Sequence, residues 1–195
     1  MTNSSDLRYI KTEQHILDAF KACVRETGFE RLQISAICRR ALISRNTFYA
    51  HYEDKYALAG RLFDDLESTI AASTRVELVT SMLAGDFYEP VRWYIGLLAR
   101  YREHVRLLLS ISEQRFRDLL QKVYVDDLVS RVCPGYEEKS RRIENRIIRC
   151  YMVDGMVSFA KCWIDDMDRL DEEKAIRLMM ELCAGPCQLY LRRMI

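Results

Sequence analysis

The segment from Ile34 to Tyr52 constrains the fold of this chain more than any other part of the sequence. It has the pattern of two short helices joined by a tight turn that contains Leu42 and Ile43. Ser44 follows the turn and is a favourable N-cap, because its hydroxyl can accept a hydrogen bond from an amide of the next helical turn. Such a pattern is typical of a helix-turn-helix, in which the second helix enters the major groove of DNA.

The second helix of this segment, about residues 45–51, has one face for the core and one for solvent. Phe48 and Tyr52 are four residues apart and are predicted to anchor the helix to the core. We therefore expect polar and cationic groups where a DNA-facing surface would lie. The side chains predicted to point outward are Arg45, Asn46, Thr47 and Tyr49.

Composition favours an all-α fold. Of the 195 residues only 7 are glycine and 3 are proline, which is too little material for the many turns of a β fold. The formal net charge of +1 does not suggest a nonspecific polyanion binder, but basic residues outnumber acidic ones locally between Arg31 and Tyr56. We predict an N-terminal three-helix domain over residues 1–54 and a helical bundle over residues 55–195.

Apolar periodicity and turn residues place the helices approximately. Gly28 is predicted to end the first of them as a left-handed C′ residue. The pattern shows no internal repeat. The predicted spans are 7–27, 35–41, 45–51, 55–80, 87–101, 103–110, 112–132, 137–166 and 171–194.

The last two predicted helices, about 137–166 and 171–194, carry apolar residues on more than one face. A surface helix needs only one apolar face, so these helices are predicted to be buried on two sides. One interpretation is a homodimer in which they form a four-helix bundle with a second copy. The alternative is deep burial within a monomer.

The cysteine pattern favours reduced thiols. The seven cysteines include no Cys-x-x-Cys pair and mostly lie among apolar residues, which predicts a cytoplasmic protein. The polar N-terminus has no signal-peptide core, and charged residues interrupt the most apolar stretch, 147–164, so no membrane span is predicted. Cys183 and Cys187 share a helix face and leave a thiol sensor as a minor alternative.

Catalysis is not supported by any motif. The three histidines are not spaced as Glu-x-x-His or His-Glu-x-x-His, and no glycine-rich phosphate loop is present in the sequence. We therefore predict no enzyme activity, no metal site and no cofactor.

The N-terminal 60 or so residues resemble the DNA-binding domain of TetR-type (TetR/AcrR) transcriptional regulators. The resemblance rests on a helix-turn-helix that reads Ser44-Arg45-Asn46-Thr47-Phe48-Tyr49-Ala50-His51-Tyr52, followed by Lys55-Tyr56-Ala57-Leu58. Leu42 departs from the pattern, since the family usually has glycine at this position of the turn. Either the turn has another geometry, or Leu42 carries the strain of a positive φ.

The resemblance implies which residues touch DNA. Arg45, Asn46 and Thr47 would face base edges, where arginine can chelate guanine and asparagine can chelate adenine. The residues implied to hold phosphates or to position the reading helix are Gln33, Ser44, Tyr49, His51 and Lys55. For His51 the alternative is packing against the fourth helix, and for Lys55 it is a solvated lysine.

The resemblance also implies a small-molecule effector that binds within the C-terminal domain and shifts the dimer between DNA-competent and incompetent states. The expected function is a transcriptional regulator, usually a repressor, that binds a palindromic operator in double-stranded DNA. An activator of the same fold and a helical interaction protein without DNA binding are the alternatives. Candidate pocket residues, each of which could instead belong to the core, are Phe63, Leu66, Trp93, Tyr94, Leu97, Tyr101, Phe116, Tyr151 and Trp163.

Overall fold

The structure, a computed structural model, describes residues 4–194, with side chains from Leu7 onward except at position 124. These residues form α-helices and one π-helical turn, Gln121–Asp126, with no strand among them, which confirms the all-α prediction. None of these helices combines the length and hydropathy of a membrane span. The α-helices are α1 Ser4–Thr27, α2 Ile34–Ala41, α3 Arg45–His51, α4 Lys55–Ser73, α5 Val76–Leu83, α6 Tyr88–Arg100, α7 Arg102–Ile111, α8 Glu113–Leu120, α9 Asp127–Ser130, α10 Tyr136–Ser140, α11 Ile143–Asp165 and α12 Glu172–Met194.

Three predicted helices are divided in the structure. The predicted helix 55–80 ends at Ser73, where the hydroxyls of Ser73 and Thr74 both donate to the carbonyl of Ile70 and so compete with the helical hydrogen bonds. The predicted helix 112–132 is α8, the π-helical turn and α9. The predicted helix 137–166 is α10 and α11, which are separated at the extended residue Arg142.

The chain separates into two compact units at the bond between Asp65 and Leu66, and α4 contributes residues to both. In the first unit, the apolar face predicted for α1 is buried, with Ile16 and Phe20 fully enclosed. Gly28 adopts a φ of 76° and its amide donates to the carbonyl of Val24, as a C′ residue should. Phe48 of α3 is also completely buried, as its spacing predicts.

In the second unit, α12 packs on α11, α5 and α6. The buried hydroxyl of Tyr94 on α6 donates to the carbonyl of Met156 on α11 at 2.9 Å. Helix α12 continues through Pro186, whose missing amide leaves the carbonyl of Leu182 without its usual partner. These contacts bury one side of both C-terminal helices inside the second unit.

A polar network ties the π-helical turn to three helices of the second unit. Asp126, the last residue of that turn, accepts from the hydroxyl of Tyr136 at 2.5 Å and pairs with Arg149 at 3.1 Å. The hydroxyls of Tyr136 and Tyr190 lie 3.0 Å apart. Burial, together with the neighbouring carboxylate, raises the pKa of Tyr136 above its ordinary value, so the phenol remains a hydrogen-bond donor.

Candidate nucleic-acid interface

The reading helix α3 begins at a side-chain cap. The Oγ of Ser44 accepts from the amide of Thr47 at 3.0 Å, which confirms the capping predicted from the sequence. The hydroxyls of Ser44 and Thr47 also lie 2.8 Å apart. The cap fixes the start of the short helix, and the completely buried ring of Phe48 anchors its middle to the core.

The turn before α3 contains a non-glycine residue in the left-handed region. Leu42 has φ 56° and ψ 43°, and it is the C-cap of α2. The amide of Ile43 donates to the carbonyl of Cys38 at 3.0 Å, so the left-handed residue closes the end of α2. Of the two alternatives left by the sequence, Leu42 carries the strain. Its side chain is 92% exposed and gains no burial in return.

Leu42→Gly is expected to stabilise the protein by about 0.5–1 kcal/mol. The left-handed conformation costs an L-residue about 1–2 kcal/mol, and the greater freedom of glycine in the unfolded chain offsets part of the gain. Thermal unfolding followed by circular dichroism should show a midpoint raised by about 1–4 °C. Leu42→Ala is the control, since it keeps the strain and removes the exposed side chain. Equal midpoints for the glycine and alanine variants would contradict the strain.

The outward face of α3 is polar and largely free of contacts with other side chains. Arg45 and Asn46 are exposed, and neither side chain forms a hydrogen bond or an ion pair with another residue of the described part of the chain. Thr47 is half-buried because its hydroxyl lies against the cap. Tyr49 is 55% exposed, and its ring rests edge-on against Phe48. This face offers donors and acceptors of the kind that base edges require.

His51 packs against α1. Its ring stacks on Tyr9 with 3.9 Å between the ring centroids and 23° between the ring planes. The sequence alternative had placed this packing against the fourth helix. Nδ1 of His51 is buried and finds no hydrogen-bond partner among residues 4–194. The phosphate contact of His51 stays a prediction.

Lys55, at the start of α4, holds the loop between α1 and α2. Its Nζ donates to the carbonyls of Phe29 at 2.9 Å and Glu30 at 3.0 Å. The ammonium also lies 4.8 Å from the ring centroid of Phe29 and 5.4 Å from that of Tyr56. Lys55 is thus not simply solvated, and one of its three donors is left for a phosphate.

The two helix starts beside this lysine differ in their caps. The Oδ1 of Asp54 accepts from the amides of Tyr56 and Ala57 at 2.8 and 2.7 Å. An acidic residue therefore caps the N-terminus of α4, where a negative charge is favourable. Gln33 is the N-cap of α2, but its side chain is exposed and does not cap the helix. Its Oε1 instead accepts a long bond from the hydroxyl of Ser35 at 3.4 Å. The amide group of Gln33 therefore remains accessible.

The comparisons with known proteins agree with this geometry. The sequence model of the bacterial regulatory proteins of the tetR family matches residues 16–62, which span the helix-turn-helix and the start of α4. The chain thus carries a DNA-binding domain of the tetR type over residues 16–62. It is 31% identical over 78 residues to the A-factor receptor protein of Streptomyces griseus, a match that covers 40% of this chain and 28% of that protein.

A solved structure has a fold similar to that of this chain. The crystal structure of a TetR transcriptional regulator from Streptococcus agalactiae 2603V is similar with a TM-score of 0.68, over 92% of this chain and 97% of that one. The identity is 18%, so this likeness concerns the fold alone. The chain spans little more than a quarter of the A-factor receptor protein, 28% of its length.

The structure distributes the candidate pocket residues over several places. Phe63, Leu66 and Phe116 are fully enclosed in the core, and Tyr94 lines a void of about 20 Å³. Tyr151 and Trp163 line an apolar groove of about 630 Å³ between α11 and α12. Trp93, Leu97 and Tyr101 line an open cavity of about 530 Å³ beside α6. Among the described residues, no group of histidine, cysteine or acidic side chains could hold a metal ion.

The thiol-sensor alternative predicts reactive thiols on α12, and the structure does not favour them. Burial raises the pKa of Cys183 to about 11 and that of Cys187 to about 12. A redox thiol needs the opposite shift, because the thiolate is the reactive form.

These pKa values predict slow alkylation of both thiols. At pH 8 only about one Cys183 side chain in a thousand is a thiolate. Iodoacetamide is therefore expected to label the exposed Cys150 well before Cys183 or Cys187, as read by mass spectrometry of peptides after timed quenching. Urea-unfolded protein is the control in which all three label alike. Labelling of native Cys183 at the rate of Cys150 would restore the sensor hypothesis.

Proposed function

We propose that this protein is a transcriptional repressor that binds a palindromic DNA operator as a homodimer and is released by a small-molecule effector. The observation that carries the proposal is the outward face of α3, where Arg45 and Asn46 lie exposed and unpaired on a helix whose cap and core anchor are both in place. An arginine and an asparagine in such positions match guanine and adenine edges respectively. Thr47 would contact a phosphate or a thymine methyl.

The residues around α3 support a phosphate clamp. Tyr49 presents its hydroxyl at the exposed edge of the helix, and Gln33 presents an amide at the start of α2. Lys55 has a donor to spare, and the stack on Tyr9 would hold the ring of His51 in place for its other nitrogen. Such contacts fix the register of a protein on DNA without reading its sequence.

An exposed apolar face supports the homodimer. Large apolar side chains recur at helical spacing along α11 and α12 and stay exposed in the protomer, which is unusual unless a partner covers them. A two-fold arrangement would bring these helices against the same pair of a second copy. The exposed residues are Ile143, Ile147 and Tyr151 on α11 and Leu178, Leu182 and Leu189 on α12.

The groove between α11 and α12 supports the same arrangement. Gly155 lies on its rim, and a Cβ added there would meet no atom within 4 Å. A helix of a second copy can approach closely where a side chain is missing. The groove thus has both an apolar lining and room for a partner helix.

Selection from a random double-stranded DNA library tests the proposed function. The purified protein is expected to enrich a palindromic site, with an affinity that falls as salt rises because lysine and arginine side chains that neutralise phosphates release counterions. No enrichment at low salt would favour the helical interaction protein. Transcription in vitro from a promoter that contains the selected site separates repression from activation.

A further inference from the structure

We propose that the cavity beside α6 binds an amphipathic organic anion, that is, a carboxylate, sulfonate or phosphate carried on an aromatic or acyl body. The cavity is formed by the last turn of α4, the start of α5 and one face of α6, and its volume is about 530 Å³. That volume suits a small organic molecule. That this ligand is the effector rests on the proposed function. That the cavity binds such a ligand follows from the residues that line it.

The charge of the cavity wall is positive. Arg75, Arg92 and Arg100 line it together with a single acidic residue, Glu89. Glu89 is already engaged, because it accepts from Nε and Nη2 of Arg92 at 3.1 and 2.7 Å. Arg75 and Arg100 form no ion pair with any residue between 4 and 194. Two guanidinium groups at one cavity without carboxylate partners are suited to an anionic head group.

The rest of the wall is aromatic and apolar. Trp93 and Tyr101 are half-buried there, and Leu97 is buried behind them. The guanidinium carbon of Arg100 lies 5.7 Å from the ring centroid of Tyr101, so the cation and the apolar wall are adjacent. A ligand that fits both must combine a negative head with a hydrophobic body, which excludes inorganic anions and neutral hydrocarbons as good ligands.

Gly96 leaves the cavity open. It lies within α6, where glycine costs a helix about 1 kcal/mol relative to alanine. A Cβ built at Gly96 would meet no atom within 4 Å, so a larger residue would extend into the cavity without displacing the protein. This position allows the cavity to be filled in a variant that still folds.

Anilinonaphthalene sulfonate is the probe, because it carries one sulfonate on an aromatic body and becomes fluorescent when it leaves water. Titration of the full chain is expected to show one saturable site per protomer. N-phenylnaphthylamine, which has the same rings without the sulfonate, should bind at least about tenfold more weakly, since charge-assisted hydrogen bonds to the arginines are lost.

Four variants locate the probe. Gly96→Leu and the double variant Arg75→Gln with Arg100→Gln should each weaken binding of the sulfonate at least about tenfold. Ser130→Leu is the matched control for filling, because it introduces the same side chain at an exposed position outside the cavity. Arg131→Gln is the matched control for charge, since Arg131 is exposed and outside the cavity. Both controls should bind within about twofold of the unaltered chain.

The inference is overturned if the unaltered chain has no saturable site, if Gly96→Leu binds as the unaltered chain does, or if the neutral probe binds as tightly as the sulfonate. The selected operator separates this result from the proposed function. Gly96→Leu should retain DNA binding, and saturating sulfonate should lower the affinity of the unaltered chain for DNA. Operator binding that does not respond to bound sulfonate overturns the effector assignment, whereas the absence of any operator overturns the proposed function and leaves the probe titration valid.

Discussion

Arg45→Ala is expected to weaken binding to the selected operator by about 10- to 100-fold, while binding to unrelated DNA changes much less. Arg45 is exposed and makes no ion pair among the described residues, so its removal leaves the fold intact. A guanidinium that chelates a guanine supplies two hydrogen bonds that no other base accepts in the same way. Fluorescence anisotropy with the operator and with a scrambled duplex at one fixed salt concentration measures both affinities.

Tyr49→Phe on the same helix is the matched comparison. It removes one hydroxyl, and the ring can keep its edge-on contact with Phe48. If Tyr49 holds a phosphate, the operator and the scrambled duplex should lose affinity by a similar factor. A loss confined to one base pair of the operator would contradict that role, and an Arg45 variant that lost affinity equally for every sequence would contradict base reading.

Leu182→Glu is expected to convert the proposed homodimer into monomers, with a dimer dissociation constant raised at least about a thousandfold. Leu182 is 56% exposed in the protomer and lines the groove between α11 and α12. A two-fold axis would bring the new carboxylate into the interface from both copies, and an unpaired buried charge is costly each time. Sedimentation velocity at micromolar protein measures the change.

Gln188→Glu is the control for this variant. It adds the same charge to the same helix at an exposed polar position away from the apolar stripe, so the dimer should persist. Met156 is a poorer test than Leu182, because it is buried inside the protomer at 4% exposure and a charge there would unfold the chain. A dimer that survives Leu182→Glu would show that the two copies meet elsewhere.

The local features of the helix-turn-helix could be predicted from the sequence because neighbouring residues determine them. The cap at Ser44 and the left-handed Gly28 both depend on residues within one helical turn. The buried face of α1 follows from helical spacing in the same way. The expected direct role of α3 in DNA recognition depends on the same short segment.

Features that depend on distant residues could not be predicted. The hydrogen bonds from Lys55 to the carbonyls of Phe29 and Glu30 join positions about 25 residues apart. Every residue has a backbone carbonyl, so the side-chain sequence does not indicate which carbonyl accepts. The stack of His51 on Tyr9 joins α3 to α1 for the same reason. The π-helical turn could not be predicted because its residues have ordinary helix propensities, whereas its last residue, Asp126, contacts residues 10 and 23 positions away.

The left-handed leucine in the turn has a consequence for mutational scanning. Selection of a variant library for folding alone should rank glycine first at position 42, since an L-residue pays a backbone penalty there and Leu42 recovers none of it by burial. Selection of the same library for operator occupancy in cells applies a different criterion. If leucine rises in that second ranking, its exposed side chain serves DNA binding. If the rankings agree, the side chain of Leu42 has no role in DNA binding, and Leu42→Gly would stabilise the protein without loss of function.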